Sequence, residues 1–344
     1  MVIDERFMQR ALQLARQGGG HTSPNPMVGA VIVAPDGTIL GEGWHRRCGE
    51  AHAEVNAVAS VGDPNLLKDS TIYVTLEPCS HYGKTPPCAN MLIECGIPRV
   101  VVGCLDPFVK VAGRGVKMLQ DAGVEVVVGV LEQECRDLNR RFITAHTTGR
   151  PWVQLKWAQT ADGFIARPPD AGENPLRMST PVTMCLMHRE RSLCDAILVG
   201  ANTASIDNPS LTTRYWPGKS PLRVILSRNL SIPDNLRMFA DGQPVIVYNA
   251  MKNETCGAVE YVKVDTDHPC SWLEDLYRRR VTSVMVEGGA QVLQSLLDAG
   301  MWDEARIEVS PRRVGQGVAA PRIQGRETAR RVIDGNTIIW LANR

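Results

Sequence analysis

The sequence has almost no net charge: 38 Lys and Arg against 37 Asp and Glu leave a formal +1 over 344 residues. A general nucleic-acid or membrane-surface binder would be strongly basic, so neither class is indicated, although a local basic patch can still hold a phosphate. No apolar run reaches the length that spans a bilayer. The opening residues Met1-Val2-Ile3-Asp4-Glu5-Arg6 lack the basic-then-apolar layout of a secretory leader. The ten cysteines are scattered without a pairing pattern. That argues against a disulfide framework and favours metal ligation by some of them. Cytoplasm is the expected compartment. Fixed-period repeats and low-complexity tracts are also missing.

What is present suits ordinary globular packing. Hydrophobic residues make up 44% and charged residues 22%, and the length predicts two domains. Met8, Ala11, Leu12 and Ala15 recur at helical spacing after a candidate N-cap, Asp4. Residues 28–33 read as a buried strand, residues 35–37 as a turn and residues 38–42 as the returning strand. A helix starts near Ala51. Strands at 71–75, 99–104 and 124–128 alternate with helices at 115–122 and 131–145, the last read as one piece. Thr147-Thr148-Gly149-Arg150-Pro151 is the best domain boundary. Beyond it, strands are expected at 152–157, 196–199, 223–226, 245–248, 259–264, 283–286, 306–309 and 332–340. Helices are expected at 181–193 and 290–299.

The strongest chemical signal is His52-Ala53-Glu54 followed by Pro78-Cys79 and Cys88. One imidazole and two thiolates are three good zinc ligands, and a catalytic zinc keeps its fourth position for water. The pKa of such a water falls toward about 7. Hydrolytic deamination also needs a group that moves the water's proton to the departing ammonia, and Glu54 is the candidate. Residues two apart on a helix point about 200° apart. His52 and Glu54 can therefore serve one water only at a frayed first turn. Pro87 places Cys88 at another helix start, where the helix dipole favours a thiolate. A structural zinc site remains an alternative, with His81 as a possible fourth ligand.

H-x-E and P-C-x-x-C together mark zinc nucleobase deaminases, with the Glu as acid and base. Here eight residues separate Cys79 from Cys88 instead of two. The segment Thr75-Leu76-Glu77-Pro78-Cys79-Ser80-His81-Tyr82-Gly83-Lys84-Thr85-Pro86-Pro87-Cys88 resembles the bifunctional riboflavin-biosynthesis deaminase–reductases. So do Pro24-Asn25-Pro26-Met27-Val28-Gly29-Ala30-Val31, Gly43-Trp44-His45 and His52-Ala53-Glu54. The resemblance continues through Lys156, Asp162-Gly163, Asp207-Asn208-Pro209-Ser210-Leu211-Thr212 and Glu287-Gly288-Gly289, and so covers nearly the whole chain.

The resemblance implies an α/β chain with two parts. Residues 1–147 would be a cytidine-deaminase-like α/β/α layered domain, a zinc-dependent pyrimidine deaminase. Residues 151–344 would be a dihydrofolate-reductase-like mixed-sheet domain, an NADPH-dependent reductase. The first reaction would deaminate 2,5-diamino-6-ribosylamino-4(3H)-pyrimidinone 5′-phosphate at Zn2+. The second would reduce the ribosyl chain of the product to ribityl. By the same resemblance Ala158, Thr203, Asp207 and Gly289 contact the cofactor, and Arg191, Leu211, Arg214 and Glu287 contact the substrate. Asn25 and His45 would hold the pyrimidine, and Lys84 would reach the phosphate. The partners implied are phosphorylated pyrimidines, not nucleic acid or membrane, in a homo-oligomer.

Read on its own chemistry, residues 284–292 form a strand, a glycine turn and a helix. That pattern suits a pyrophosphate but is not the dinucleotide fingerprint. Gly200-Ala201-Asn202-Thr203 reads as a loop at a strand's C-terminal end, a usual ligand position. Arg191 and Arg214 are chemically apt phosphate partners. Lys156 is either a site lysine or a snorkelling edge residue. Asp207 and Glu287 are both candidate proton donors to the new hydroxyl. In Leu176-Arg177-Met178-Ser179-Thr180 the family's expected tryptophan is replaced by Arg177, which puts substrate contacts there in doubt. The preceding 168–175 reads as a flap. Two competing readings are a nucleoside or tRNA deaminase with an unrelated accessory domain, and a zinc-stabilised binding module. Near-neutral charge and the eight-residue spacing argue against the first.

Overall fold

The computed structural model describes residues 3–81, 86–107, 112–168 and 176–343. They fall into two compact units, Met1–Thr148 and Gly149–Arg344.

In the first unit a five-stranded sheet of order β2-β1-β3-β4-β5 is built from β1 (Gly29–Val33), β2 (Ile39–Trp44), β3 (Thr71–Leu76), β4 (Arg99–Cys104) and β5 (Glu125–Val128). The hairpin strand β1 runs antiparallel to β2 and β3, while β3, β4 and β5 are parallel. Successive side chains of a strand point to opposite faces. Ala30, Ile32, Ile72, Val74, Val100 and Val102 therefore pack against one helix layer: α2 (Ala53–Ala59), α3 (Cys88–Glu94) and α4 (Arg114–Asp121). Val31, Val33, Tyr73 and Val101 pack against α1 (Glu5–Ala15) and α5 (Glu132–Leu138) on the other face. Both faces are covered, which is why β1 is a continuous apolar run and not an alternating one. Asp4 caps α1, accepting the Arg6 N–H at 3.0 Å.

The single helix expected over 131–145 is two, α5 and α6 (Arg140–Thr148). Asn139 interrupts it. Its buried amide pairs twice with the Met27 backbone, accepting the N–H at 2.8 Å and donating to the carbonyl at 2.9 Å.

The second unit contains, among the described residues, a ten-stranded mixed sheet of order β11-β12-β10-β9-β8-β13-β6-β14-β17-β16. Its strands are β6 (Trp152–Thr160), β8 (Ala196–Gly200), β9 (Leu222–Leu226), β10 (Val245–Asn249), β11 (Glu254–Cys256), β12 (Val259–Lys263), β13 (Ser283–Val286), β14 (Glu304–Ser310), β16 (Arg326–Ile333) and β17 (Asn336–Ala342). A short pair, β7 (Phe164–Ala166) and β15 (Val318–Ala319), lies apart from it. The parallel strands are connected through α7 (Pro181–Ser192), α8 (Ala201–Asp207), α9 (Arg237–Ala240), α10 (Pro269–Arg278) and α11 (Ala290–Asp298). The strand expected over 332–340 is a hairpin, because Asp334 (φ 49°) and Gly335 (φ 81°) take the left-handed pair that a tight hairpin turn requires. Gly200 to Thr203, expected as a loop, opens α8, with Gly200 as its N-cap.

Two close approaches in the first unit set the positions of α2 and α4. A Cβ on Gly43 of β2 would lie 2.3 Å from the Ala57 nitrogen and 2.5 Å from the Ala53 oxygen, so α2 rests directly on the β2 backbone. A Cβ on Gly115 would lie 2.0 Å from the Pro78 oxygen, so the start of α4 rests on the residue preceding Cys79. There the Glu77 carboxylate, 5% exposed, accepts N–H groups of Asp106 (3.2 Å), Gly113 (2.9 Å), Gly115 (2.8 Å) and Val116 (3.2 Å). It thereby serves the otherwise unpaired donors at the α4 N-terminus.

Gly43→Ala is expected to lift α2 and to destabilise the chain by about 1–3 kcal/mol, with lowered zinc content; thermal unfolding and metal analysis of the purified protein check this. Glu77→Ala removes the acceptor shared by four N–H groups, of which that of Gly115 is buried, and is expected to cost about 1–3 kcal/mol, whereas an unchanged melting temperature would contradict the role given to this carboxylate.

Candidate functional site

His52 is the N-cap of α2, with extended backbone (φ −72°, ψ 167°), and Glu54 sits two residues on, in the first turn. The helical geometry that would separate their side chains has not begun at His52, which resolves the 200° conflict. Cys79 follows β3 and Pro78. Cys88 is the first residue of α3, with Pro87 as its N-cap. The three elements deliver one ligand atom each. His52 Nδ1 is 3.7 Å from Cys79 Sγ and 3.3 Å from Cys88 Sγ, and the three ligand atoms lie within 4.8 Å of one another. One nitrogen and two sulfurs at this spacing fit a zinc ion with an open position. Among the described residues no other group of three His, Cys, Asp or Glu side chains does so. His81, the alternative fourth ligand, is exposed and outside the cluster.

The electrostatics favour a cation. Cys79 accepts hydrogen bonds from the Cys88 side chain and, at 3.2 Å, from the Cys88 N–H, which together with His52 bring its thiol down to about 4. The same hydrogen bond, with burial and the Glu54 charge, pushes the Cys88 thiol upward. The pair thus shares one proton, which a bound cation would replace. Burial, reinforced by the Cys79 charge, pushes the Glu54 carboxyl up to about 7. Glu54 is only 3% exposed and hydrogen-bonds the Cys88 side chain.

Asn25 and His45 come to the same place. His45 is buried, its ring edge-on to His52 at 5.4 Å. Its Nδ1 is 3.1 Å from the Ala51 carbonyl and its Nε2 is 3.3 Å from the Asn25 amide nitrogen. Both contacts are satisfied by one neutral tautomer, Nδ1–H donating and Nε2 accepting, and burial lowers the His45 pKa in the same sense. Lys84 and the segment 169–175 lie outside the described residues. Sequence reasoning missed Glu77. Its signal was a carboxylate placed directly after an apolar strand, where a solvated face is not expected.

In the second unit Arg191, Glu287 and Lys156 come together past the end of β13, and Thr203 after β8 meets the glycine turn there. Arg191 on α7 and Glu287 after β13 form a bidentate pair at 2.7 and 2.6 Å, with side chains 12% and 9% exposed. Burial alone would raise the Glu287 carboxyl, but Arg191 outweighs it and holds it down to about 2. Lys156 on β6 is pushed down by burial, with Glu287 opposing. Ala158 follows it on the same face of β6 and is opposite Glu308 of β14. Thr203 on α8 meets the glycine turn: its Oγ1 lies 3.2 Å from where a Gly289 Cβ would be. Burial raises Asp207 at the end of α8. Leu211 is buried with a left-handed backbone (φ 54°), and Arg214 is exposed nearby in sequence.

Arg177 is exposed. It lines a pocket of about 490 Å³ with Ser179, Thr180, Arg312, Asp334 and Asn336. Ser179 turns inward and donates to Glu308 at 2.9 Å. Fully buried Glu308 also accepts from Thr183 Oγ1 and Asn336 Nδ2, both at 2.6 Å. Glu308 was not singled out from the sequence. Its signal was the alternation along β14, where Glu304, Arg306 and Glu308 interleave with Ala305, Ile307 and Val309.

Residues 1–104 match the family model of the cytidine and deoxycytidylate deaminase zinc-binding region, and residues 151–335 match that of the RibD C-terminal domain. The chain is similar to the riboflavin biosynthesis protein RibD of Aquifex aeolicus, 39% identical over 324 residues that cover 92% of this chain and 89% of that one. The RibD of Bacillus amyloliquefaciens is 40% identical over 334 residues, 94% of this chain and 88% of that one. A solved structure of a Thermotoga maritima diaminohydroxyphosphoribosylaminopyrimidine deaminase/5-amino-6-(5-phosphoribosylamino)uracil reductase superposes with a TM-score of 0.89 at 37% identity, covering 98% of both chains. With a zinc-binding deaminase region, a reductase domain and relatives matched over nearly their full length, the chain belongs to the RibD family, the bifunctional deaminase–reductases of riboflavin biosynthesis.

Proposed function

We propose that residues 1–147 deaminate 2,5-diamino-6-ribosylamino-4(3H)-pyrimidinone 5′-phosphate with zinc, and that residues 151–344 then reduce the ribosyl chain of the product with NADPH. The observation that carries the first half is the convergence of His52 Nδ1, Cys79 Sγ and Cys88 Sγ within 4.8 Å beside buried Glu54. Cytoplasm is the proposed location. It is compatible with the lack, among the described residues, of any helix long and apolar enough to cross a membrane.

His52, Cys79 and Cys88 are the proposed zinc ligands, and bound zinc supplies Lewis acidity toward the attacking water. Glu54 takes a proton from that water as its oxygen bonds to the ring carbon, and returns it to the nitrogen that departs as ammonia. A carboxyl raised toward neutrality suits a group that must both accept and donate. Asn25 and His45 hold the pyrimidine edge: the hydrogen bond to His45 takes one of the two Asn25 amide N–H groups, leaving the other and the oxygen for the ring. Lys84 is the proposed phosphate contact.

In the second half a nicotinamide cofactor supplies the hydride. Ala158, Thr203, Asp207 and Gly289 are its proposed contacts. Lys156, Arg191, Leu211, Arg214 and Glu287 are those of the phosphorylated substrate. Arg191 keeps Glu287 ionised, whereas burial raises Asp207. Of these two carboxyls, Asp207 is the one whose shift runs in the direction a donor of the ribityl hydroxyl proton needs.

Glu54→Gln is expected to retain zinc and fold while ammonia release falls by roughly 10²–10⁴. NADPH oxidation on supplied deaminated product should be unchanged in that variant. Loss of zinc, or an unaffected deamination rate, would remove Glu54 from the proton path. Arg214→Ala is expected to raise KM for the reductase substrate roughly 10- to 100-fold, as loss of a charge-assisted phosphate contact should, with KM for NADPH unchanged in steady-state kinetics.

A further inference from the structure

The loop after α8 carries Leu211 and Arg214, and α7 holds it down along one stripe. Cys185, His188 and Arg191 lie three residues apart and so share a face of the helix. Each is bonded to the backbone of the loop. Arg191 donates to the Thr212 carbonyl at 3.3 Å, His188 Nδ1 accepts the Arg214 N–H at 3.0 Å, and the Cys185 thiol lies 3.2 Å from the Tyr215 carbonyl oxygen. Tyr215 closes over the contact, its ring edge-on to His188 at 4.8 Å, and the Arg214 guanidinium lies over the Tyr215 ring at 4.9 Å.

We infer that His188 is a positioning residue of the reductase, fixing the Arg214 backbone so that the guanidinium is presented to the substrate phosphate. The inference rests on the proposed role of Arg214. Three observations support it. His188 is 2% exposed, so it acts through what it touches and not on solvent or ligand. Its bond falls on the backbone of the residue whose side chain is exposed and cationic, whereas Cys185 and Arg191 bond Tyr215 and Thr212. The bond also needs a ring that is unprotonated at Nδ1. Burial, with the charges of Arg191 and Arg214, holds the imidazole down to about 4, so the acceptor is kept at neutral pH.

A neutral hydrogen bond of this kind governs where Arg214 rests, not the hydride step. His188→Ala and the space-filling His188→Leu are therefore expected to raise KM for the phosphorylated reductase substrate about 3- to 10-fold, with kcat within about twofold of the parent. His188→Asn, whose side-chain oxygen can replace Nδ1 as acceptor, is expected to restore KM. The assays use the full-length zinc-loaded protein, with ammonia release in the same preparations as the internal control of folding. KM unchanged in both His188→Ala and His188→Leu, while Arg214→Ala raises it, overturns the inference and leaves the reading of Arg214 standing. KM unchanged in Arg214→Ala overturns both. Equal KM defects in His188→Asn and His188→Leu also overturn it, because packing alone would then account for the effect.

Discussion

Three soft donors from three separate elements must meet within a few ångströms, and the first unit is organised around that requirement. None of the three lies in the interior of a regular element. His52 is still extended at the α2 N-cap, Cys79 is past the end of β3, and Cys88 is the first residue of α3. Positions at or beyond the ends of regular elements are held by few backbone bonds of their own, so their precision has to come from neighbours. Gly43 lets α2 rest on β2, Gly115 lets α4 rest on Pro78, and Glu77 ties the residues before Cys79 to four backbone donors. The Cys88 N–H then donates to Cys79 Sγ, joining the two ligand segments directly. Two helix N-termini facing the site favour thiolates and hence the cation that thiolates bind.

The second unit meets a different constraint. One face of the sheet at β6 and β14 is apolar, with Val153, Leu155, Trp157, Ala305 and Ile307 in the main core. The other face carries charge. Gln154 donates to Glu304 at 2.8 Å, Arg306 pairs with Glu190 at 3.1 Å, and Glu308 ties Ser179, Thr183 and Asn336 together. Buried charge of this kind adds little net stability, and breaking a pair is costly, so its value is in fixing a geometry. Lys156, Arg191 and Glu287 are the part of this layer that reaches the strand ends. The reductase cluster is therefore continuous with a buried polar scaffold, and α7 supplies residues to both.

Much of this was legible in the sequence. The grouping of His52, Cys79 and Cys88 beside Glu54 was readable because such residue types in that order are rare and specific. The apolar runs of β1, β4 and β13 were readable because burial on both faces leaves no other pattern. Asn139 was not, since a polar residue at helical spacing looks solvated until its partner, Met27, is known to lie 112 positions away. The final hairpin was read as one strand because Asp334-Gly335 interrupts two runs of similar composition. Glu308 and His188 escaped notice for the same physical reason. Their roles are defined by long-range partners, and a single buried polar residue has no sequence signature of its own.

The central claim is that the two halves act in succession on one small molecule. Its most direct test monitors ammonia release and NADPH oxidation separately, with the purified zinc-loaded protein and the diaminopyrimidinone ribosylamino phosphate as sole substrate. The predicted result is ammonia first and then an equal amount of NADPH oxidised, with no NADPH consumed when Glu54→Gln blocks the first step. NADPH oxidation that precedes ammonia, or neither signal at full zinc occupancy, would contradict it.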